Sequence, residues 1–171
     1  MSYDWKNLQN LADEKFPGVE NKPGIYFLRW KKYENPVNIN RLGAADSNGL
    51  LYIGESKDLR RRFQRIWSGI QKSNQSTSKT VDTLRKTIIF CKLHEEINSD
   101  EYEIAWQQFS TTIEAQIQEA AALILYTEKF KELPPLNLKI CKEKYVNWGL
   151  VFFDKSRWST KANEFVKSII S

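Results

Sequence analysis

Two tripeptides that combine glycine, isoleucine and tyrosine constrain the fold of this chain more than any other feature of its sequence. Gly24-Ile25-Tyr26 opens an apolar run over residues 24–30, and Tyr52-Ile53-Gly54 closes a second apolar run over residues 50–54. Short runs of apolar, β-branched and aromatic residues behind turn residues such as Lys22-Pro23 are typical of β-strands. The sequence therefore predicts two strands, and the second runs straight into a basic segment.

That basic segment is predicted to be a helix over about residues 57–68. Its apolar side chains recur on one face at helical spacing: Leu59, Phe63, Ile66 and Trp67. Ser56 or Asp58 is expected to cap the helix, because a short polar side chain accepts hydrogen bonds from the free amides of the first turn. The longest helix is predicted over residues 112–132, where Leu133-Pro134-Pro135 ends it.

Shorter patterns complete the prediction and place the chain in the α/β class. We assign a helix to residues 5–15, strands to residues 101–109 and 149–153, and a final helix to residues 161–170. The connections are a long polar segment over residues 31–49, a segment of mixed character over residues 82–93 and a polar loop over residues 69–80.

One domain with two short extensions is the expected organisation. A length of 171 residues suits a single domain, and a hydrophobic content of 41% is enough to build its core. We expect residues 23–140 to form this domain. Residues 1–22 would be an N-terminal helical extension, and residues 141–171 a C-terminal strand and helix packed on the same domain.

The charge and the cysteines narrow the class of protein further. The net charge of +5 suits an anionic partner such as nucleic acid, but does not identify one. Cys91 and Cys141 are far apart in the sequence, which favours reduced thiols over a disulfide framework or a metal site. No apolar run approaches membrane-spanning length and no signal-peptide pattern opens the chain, so we predict a cytoplasmic protein without a membrane partner.

Arg62 is the best candidate for a phosphate ligand in the basic helix. On a helical projection it lies one turn from Leu59 and Ile66, at the border of the apolar face. An arginine at such a border can be held rigidly and aimed at a cleft, where its planar guanidinium suits phosphate. The other arginines of the helix project further toward solvent: Arg60, Arg61 and Arg65.

The long helix carries two glutamates that the sequence distinguishes. Thr111 and Glu114 fit a capping box, in which the glutamate side chain bonds back to the first residue of the helix. Glu119 instead lies in a largely apolar stretch, where a carboxylate is costly unless it is paired or binds a cation. An exposed position on the edge of the helix is the alternative explanation for Glu119.

Taken in order, these features resemble the GIY-YIG nuclease superfamily. The resemblance rests on the two tripeptides, on an arginine ten residues after Tyr52, and on the late series Glu114, Glu119, Pro134 and Asn137. It implies a small layered α/β domain, with a central, mainly antiparallel sheet flanked by helices. It also implies a metal-dependent endonuclease that hydrolyses DNA phosphodiester bonds.

The same resemblance implies a role for each candidate catalytic residue. Tyr52 would be the base that helps to deprotonate water, with Tyr26 assisting in the positioning of water or metal. Arg62 would contact the scissile phosphate, and Glu119 would bind Mg²⁺ or Mn²⁺. Asn137 would support the site by bonding backbone groups.

The remaining predictions concern DNA contacts and partners. Lys57 is a candidate for phosphate or water contact, and the solvent-facing arginines are candidates for contacts with the DNA backbone: Arg60, Arg61 and Arg65. We expect a stand-alone enzyme, with a homodimer or a recruiting protein as possible partners.

One departure from the family pattern leaves alternatives open. Ile66 stands where many members carry histidine or tyrosine, and the single histidine, His94, lies elsewhere. A catalytically weak or inactive nucleic-acid-binding module that acts with a partner is therefore the first alternative. A protein-interaction domain that docks through its C-terminal aromatic residues is the second: Trp148, Phe152, Phe153 and Trp158.

Overall fold

The computed structural model of the protein describes residues 4–71, 87–88, 92–137, 164 and 167–170, and an antiparallel sheet of five strands forms the centre of this part. The strands are β1 (Lys6–Asn7), β2 (Gly24–Lys32), β3 (Asn35–Pro36), β4 (Leu50–Ser56) and β5 (Tyr102–Gln108). The central strand β2 pairs with β5 along one side and with β4 along the other. β1 extends the sheet beyond β5, and β3 pairs with the end of β2.

Helices cover both faces of this sheet. They are α1 (Leu8–Asp13), α2 (Leu59–Gln71), α3 (Leu93–Glu96) and α4 (Thr112–Phe130), with a short 3₁₀ helix at Ser99–Glu101. The structure thereby confirms the predicted class, a layered α/β domain with a mainly antiparallel sheet. The division at residues 22 and 140 stays a prediction.

Alternation along β2 divides the core into two layers. Ile25 and Phe27 pack on the face of the sheet that α4 covers, in one cluster with Tyr126. Tyr26 and Leu28 point to the opposite face, where they join a cluster with α1 and α2. Successive strand residues point to opposite faces, so one strand supplies apolar side chains to both layers. This alternation places the hydroxyl-bearing ring of Tyr26 under α2.

The first turn of α2 explains why this helix begins two residues later than predicted. Asp58 lies just before the helix, and its carboxylate accepts a hydrogen bond from the Arg61 amide at 3.0 Å. Asn21 donates to both oxygens of the same carboxylate, at 3.0 and 3.2 Å. Asp58 is therefore the cap. The helix continues past residue 68 because Ile70 extends the buried face, with 6% of its surface exposed.

The N-terminal segment is less helical than predicted. Lys6 and Asn7 pair with β5 as a short strand, so only Leu8–Asp13 is helical. The Asn7 side chain accepts a hydrogen bond from the Asn10 amide and caps this helix. The helix ends early because Lys15 and Phe16 adopt left-handed backbone conformations.

The polar connection over residues 31–49 contains ordered structure that the sequence did not reveal. Lys31 and Lys32 pair with β3 through a two-residue turn at Tyr33 and Glu34, both of which have positive φ. Farther along, Ile39 and Asp46 form an isolated antiparallel bridge. This hairpin and bridge are why the connection is longer than an ordinary loop.

Several predicted elements fall wholly or partly outside the described residues. The predicted strand over residues 149–153 and the C-terminal aromatic residues lie outside them. Within the described part, Thr87 and Ile88 are helical, as are Glu164 and residues 167–170. No helix in the described ranges is long and apolar enough to cross a membrane.

We predict that the cap of α2 makes the stability of the protein depend on pH in the acid range. Asp58→Ala should lower the free energy of unfolding by about 1 kcal/mol, whereas Asp58→Asn keeps an acceptor and should cost less. The hydrogen bond from the Arg61 amide, together with that from Asn21, lowers the pKa of Asp58. Urea unfolding at several pH values measures both effects.

The sign of this dependence follows from the lowered pKa. The contribution of the Asp58 charge is complete above the ordinary aspartate pKa of about 4 and is lost as the pH falls through the folded-state value. The difference between wild type and Asp58→Asn should therefore shrink on acidification. A difference that stayed constant from neutral to acidic pH would contradict this role.

Candidate functional site

A hydrogen bond between Arg62 and Tyr26 lies at the centre of the candidate site. The Arg62 Nε atom donates to the Tyr26 hydroxyl at 2.7 Å, and the guanidinium carbon lies 5.7 Å from the centre of the tyrosine ring. Tyr26 is fully buried. The Arg62 amide also donates to the Asp58 carbonyl at 3.1 Å, in the first turn of α2. Both the backbone and the side chain of Arg62 are therefore held in place.

Tyr52 completes an aromatic pair beside this contact. Its ring centre lies 5.9 Å from that of Tyr26, and the two ring planes are tilted by 31°. Tyr52 is partly exposed, unlike Tyr26. The two predicted tyrosines are thus neighbours across β2 and β4, one inside the core and one at its surface.

Gly54 is required by the packing of these two rings. It pairs with Tyr26 across the strands. A Cβ atom at Gly54 would lie 2.5 Å from Tyr52 Cε1 and 2.6 Å from the Tyr26 hydroxyl oxygen. Neither approach is compatible with normal van der Waals contact. The glycine of the second tripeptide therefore leaves the space that the tyrosines occupy.

A β-bulge in β4 lies directly before Tyr52. Leu28 pairs with Tyr52 while the next residue, Arg29, pairs with Leu50, so Leu51 is an extra residue in β4. As a result Leu51 and Tyr52 both pack on the α2 side of the sheet. Bulges commonly redirect side chains at functional sites. No signal in the sequence indicated this bulge.

Asn137 supports β4 from its outer edge. Its side-chain oxygen accepts a hydrogen bond from the Ile53 amide at 2.9 Å, and its side-chain nitrogen donates to the Ile53 carbonyl at 2.8 Å. The Leu136 amide donates to the Leu51 carbonyl at 2.9 Å. The segment that contains Asn137 thus satisfies backbone groups of β4 on either side of Tyr52.

Glu119 lies on α4, which covers the face of the sheet opposite to α2. On a helical projection it shares the sheet-facing stripe of α4 with Ala115, Ala122 and Tyr126, which are buried. Glu119 itself is partly exposed. Its charge acts on the Tyr26 hydroxyl and raises the pKa of that group, so the carboxylate lies within electrostatic reach of the tyrosine pair.

The two glutamates of α4 are distinguished in the structure as the sequence predicted. Glu114 accepts hydrogen bonds from the Thr111 amide and hydroxyl, and the Thr111 hydroxyl accepts one from the Glu114 amide at 3.1 Å. This reciprocal pair is a complete capping box and confirms the structural role of Glu114. Glu119 takes no part in it.

Burial is the main cause of the raised pKa of Tyr26. The charge of a Tyr52 phenolate would raise the pKa further, as the Glu119 carboxylate does, whereas the charge and the hydrogen bond of Arg62 lower it. The balance places the pKa of Tyr26 well above its ordinary value of about 10. Tyr26 is therefore a neutral phenol at physiological pH.

The remaining basic candidates are distributed over the exposed side of α2. Lys57 lies exposed in the turn before the helix, and Arg61 and Arg65 are exposed on it. Arg60 is directed toward the turn after α1, because its Nη2 atom donates to the Lys15 carbonyl at 2.7 Å. Arg60 thus differs from the other three basic residues, because its side chain joins α2 to the turn after α1.

The position at which the family usually has histidine or tyrosine is part of the core here. Ile66 is 3% exposed and packs in the cluster with Tyr26 and Phe63. Its side chain is apolar and cannot transfer a proton. His94 lies in α3, and its side chain is outside the described part of the structure.

The donor chemistry of the site fits a hard cation held mainly by water. In the described ranges, no group of three or more histidine, cysteine, aspartate or glutamate side chains is arranged to hold a metal. Glu119 offers one carboxylate in partial contact with solvent. Mg²⁺ is often bound by only one or two carboxylates together with waters and substrate phosphate, so a single glutamate is compatible with it.

We predict that Gly54→Ala displaces both tyrosine rings. The added methyl group should cost about 1–3 kcal/mol of stability, as overpacking commonly does, and should change the near-ultraviolet circular dichroism of the tyrosines. Gly18→Ala is the control. A Cβ at Gly18 meets nothing within 4 Å, so that variant carries only the backbone cost of its positive φ. Equal spectra for the two variants would contradict the packing role of Gly54.

We also predict that Tyr26 ionises only when the protein unfolds in alkali. Because its folded-state pKa is raised, its neutral form stabilises the fold fully below about pH 10, and this contribution is lost as the pH rises further. Burial raises the pKa of Tyr102 and Tyr126 in the same way. A spectrophotometric titration of phenolate should show one fewer tyrosine in the unfolding step for Tyr26→Phe. Loss of a tyrosine that ionises before unfolding would contradict the burial of Tyr26.

Comparison with known proteins identifies the family. The model of the GIY-YIG catalytic domain matches residues 22–117, more than half of the 171 residues. The match includes both tyrosines and Arg62, ends two residues before Glu119 and does not reach Asn137. No curated protein matches the chain, and no solved structure does. With the tyrosine pair, the arginine and the antiparallel sheet arranged as described, the chain belongs to the GIY-YIG family.

Proposed function

We propose that the protein is a metal-dependent endonuclease that hydrolyses DNA phosphodiester bonds. Membership of a nuclease family supports hydrolysis of a phosphodiester. The observation that carries the proposal for this chain is the Arg62–Tyr26 hydrogen bond, with Tyr52 beside it and the Glu119 charge within reach. These are the cationic, hydroxyl and carboxylate groups that the reaction needs, collected from four elements of the fold: β2, β4, α2 and α4.

Arg62 is the proposed ligand of the scissile phosphate. The bond from Nε to Tyr26 restrains the plane of the guanidinium group, which then faces the phosphate oxygens in a fixed orientation. A planar group held by a buried partner meets phosphate in a defined orientation. Such fixed positive charge stabilises the additional negative charge of the transition state without reorganisation.

Tyr52 is the proposed base, and Tyr26 the residue that positions Arg62. Tyr26 is buried and its pKa is raised, so it holds its proton and accepts the arginine hydrogen bond. Tyr52 reaches the surface of the same aromatic pair, where water and substrate can approach. Water attacks phosphorus, and its proton passes to Tyr52 in the phenolate form. The bond from phosphorus to the leaving oxygen breaks, and this oxygen takes a proton from solvent, so that one phosphate end and one hydroxyl end remain.

Glu119 is the proposed metal ligand. The bound metal, Mg²⁺ or Mn²⁺, supplies Lewis-acid stabilisation of the phosphate oxygens. Glu119 lies on the helix face that points to the sheet, and its partial exposure leaves it accessible to hydrated ions. Asn137 has a supporting role, since its side chain bonds both backbone groups of Ile53, the residue after Tyr52.

The exposed basic residues of α2 are proposed to contact the DNA backbone. Lys57, Arg61 and Arg65 lie on the solvent side of the helix that carries Arg62. Neutralised phosphates release bound counterions, so affinity should fall steeply with salt. Arg60 contributes to the same positive surface while its Nη2 atom bonds the Lys15 carbonyl in the turn after α1. A cytoplasmic location and a homodimer or protein partner remain predictions from the sequence.

A non-catalytic DNA-binding module is the second candidate, and the burial of Ile66 favours it. The residue at this position cannot protonate the leaving oxygen or bind water. A nuclease with this core would therefore depend on Tyr52 as its proton-transferring side chain, with no help from this position. Binding of DNA without cleavage under any metal condition would support this second candidate.

We predict nicking of DNA by the wild type with Mg²⁺ or Mn²⁺, measured on supercoiled, branched and single-stranded substrates. Tyr52→Phe should reduce kcat by a factor of about 10² or more, the usual contribution of a general base. Arg62→Lys should reduce it by a similar factor of about 10², because an ammonium group cannot both bond Tyr26 and present a planar fork. Glu119→Gln should abolish the metal-dependent reaction.

Matched variants on the same elements separate chemistry from folding. Glu114→Gln keeps an acceptor in the capping box, so it should leave cleavage unchanged. Arg61→Gln should weaken binding and its salt dependence slightly, because one positive charge is removed, while kcat stays the same. Cleavage that survives in Glu119→Gln would exclude Glu119 as the metal ligand. A larger loss in Tyr26→Phe than in Tyr52→Phe would reverse the roles of the two tyrosines.

A further inference from the structure

A buried polar cluster joins the long β2–β4 connection to α4. The Tyr126 hydroxyl donates to Asp46 Oδ2 at 2.8 Å and accepts from Arg41 Nε at 3.1 Å. Asp46 and Tyr126 are almost completely buried, with 1% and 0% of their surface exposed. We call these three residues, Arg41, Asp46 and Tyr126, the Arg41–Asp46–Tyr126 cluster.

The cluster bonds the beginning of β4. The Asp46 carboxylate accepts a hydrogen bond from the Leu50 amide at 3.2 Å and another from the Asn48 amide at 3.0 Å. Leu50 is the first residue of β4 and directly precedes the bulge residue Leu51. Asp46 therefore holds the backbone of β4 at Leu50, two residues before Tyr52.

The cluster also bonds the segment that leads to Asn137. Arg41 Nη2 donates to the Leu133 carbonyl at 2.9 Å, and its Nη1 forms an ion pair with Glu132 at 3.2 Å. Leu133 lies four residues before Asn137, which bonds both backbone groups of Ile53. One guanidinium group thus connects α4 and the segment that supports β4.

The third connection is to the helix that carries Glu119. Tyr126 follows Glu119 by seven residues, so the two side chains lie about 20° apart around the axis of α4. A hydroxyl held by Asp46 and Arg41 therefore fixes the rotation of this helix. A rotation of about 10° would move a side-chain terminus at the helix surface by about 1 Å.

We propose that the Arg41–Asp46–Tyr126 cluster is a positioning device that sets Tyr52, Glu119 and Asn137 relative to one another. The catalytic roles of those three residues rest on the proposed function, but the mechanical coupling does not. The cluster bonds every element that carries them: β4, α4 and the segment before Asn137. Its hydrogen bonds lead to the elements of Tyr52, Glu119 and Asn137, so it acts on that half of the site.

The chemistry of the cluster favours such a role over simple stabilisation. Apolar side chains of similar size fill a core at least as favourably as a buried ion pair or polar network. Directional hydrogen bonds, in contrast, hold three chain segments at defined distances and angles. Arg41 has the required geometry because its fork bonds Tyr126, Leu133 and Glu132 in different directions.

Arg41→Lys tests the coupling, since an ammonium group keeps the charge but cannot make these three bonds together. Hydrogen exchange of the folded variant, followed by NMR, reports on the Ile53 amide, which bonds Asn137. We expect this amide to exchange about tenfold faster than in the wild type, with unchanged exchange in the β2–β5 ladder, because the segment opens locally. We also expect kcat for nicking to fall by about tenfold, with KM within about twofold of the wild type, because the catalytic groups are misplaced.

Arg29→Lys is the matched control. Arg29 forms a part-buried ion pair with Glu103 at 2.6 Å, and this bond joins β2 to β5 on the side of β2 away from β4. Arg29→Lys should lower the stability of the protein without selectively accelerating hydrogen exchange of the Ile53 amide. Tyr126→Phe, which removes only the shared hydroxyl, should repeat the Arg41→Lys result more weakly.

The possible outcomes separate the two proposals. The positioning role would be overturned if Arg41→Lys accelerated exchange equally at the Ile53 amide and in the β2–β5 ladder. It would also be overturned if Arg29→Lys selectively accelerated exchange of the Ile53 amide. If Arg41→Lys selectively accelerated exchange of the Ile53 amide but left kcat for nicking unchanged, the positioning role would be overturned as well. If the wild type cleaved no substrate, the proposed function would fail, and the exchange of the Ile53 amide alone would still decide whether the cluster controls this half of the site.

Discussion

The antiparallel pairing of β2 with strands on both of its sides is the constraint on which the rest of the structure depends. β2 pairs with β5 on one side and with β4 on the other. Because its side chains alternate, it delivers Ile25 and Phe27 to one layer and Tyr26 to the other. Tyr26 is consequently buried beneath α2, where its hydroxyl meets Arg62. Because Tyr26 lies on the central strand, the backbone around it is held by pairing with strands on both sides.

Burial gives the two tyrosines different chemistry although they have the same side chain. Tyr26 lies wholly inside the core, which raises its pKa and makes it a neutral acceptor for arginine. Tyr52 stands one strand away with part of its surface exposed. Their separation of 5.9 Å is possible because Gly54 has no side chain. Environment, rather than residue type, therefore distinguishes the proposed positioning residue from the proposed base.

The site is assembled from segments that are distant in the sequence, and backbone hydrogen bonds hold them in register. Asn137 acts as a replacement for a neighbouring strand, since its amide group bonds both the amide and the carbonyl of Ile53. Asp58 holds the beginning of α2 in a comparable way, through the Arg61 amide. Small polar side chains thus occupy the edges and ends where backbone groups would otherwise lack partners.

The sequence by itself determined the family, the antiparallel α/β class and the identity of the residues around Tyr26. This was possible because strand alternation, capping residues and the two glycine-containing tripeptides are local properties that a linear pattern expresses. The capping box at Glu114 is an example, since it needs only residues three apart.

Only the tertiary structure decided what these residues do to one another. The burial that neutralises Tyr26, the bulge at Leu51 and the bonds of Arg41 to Tyr126 and Leu133 join residues that are far apart in the chain or depend on packing around them. Hydrogen bonds and desolvation depend on distance in space, which a single sequence does not encode position by position. For this reason the sequence did not predict the hydrogen bonds within the polar connection before β4, and the structure was needed to find them.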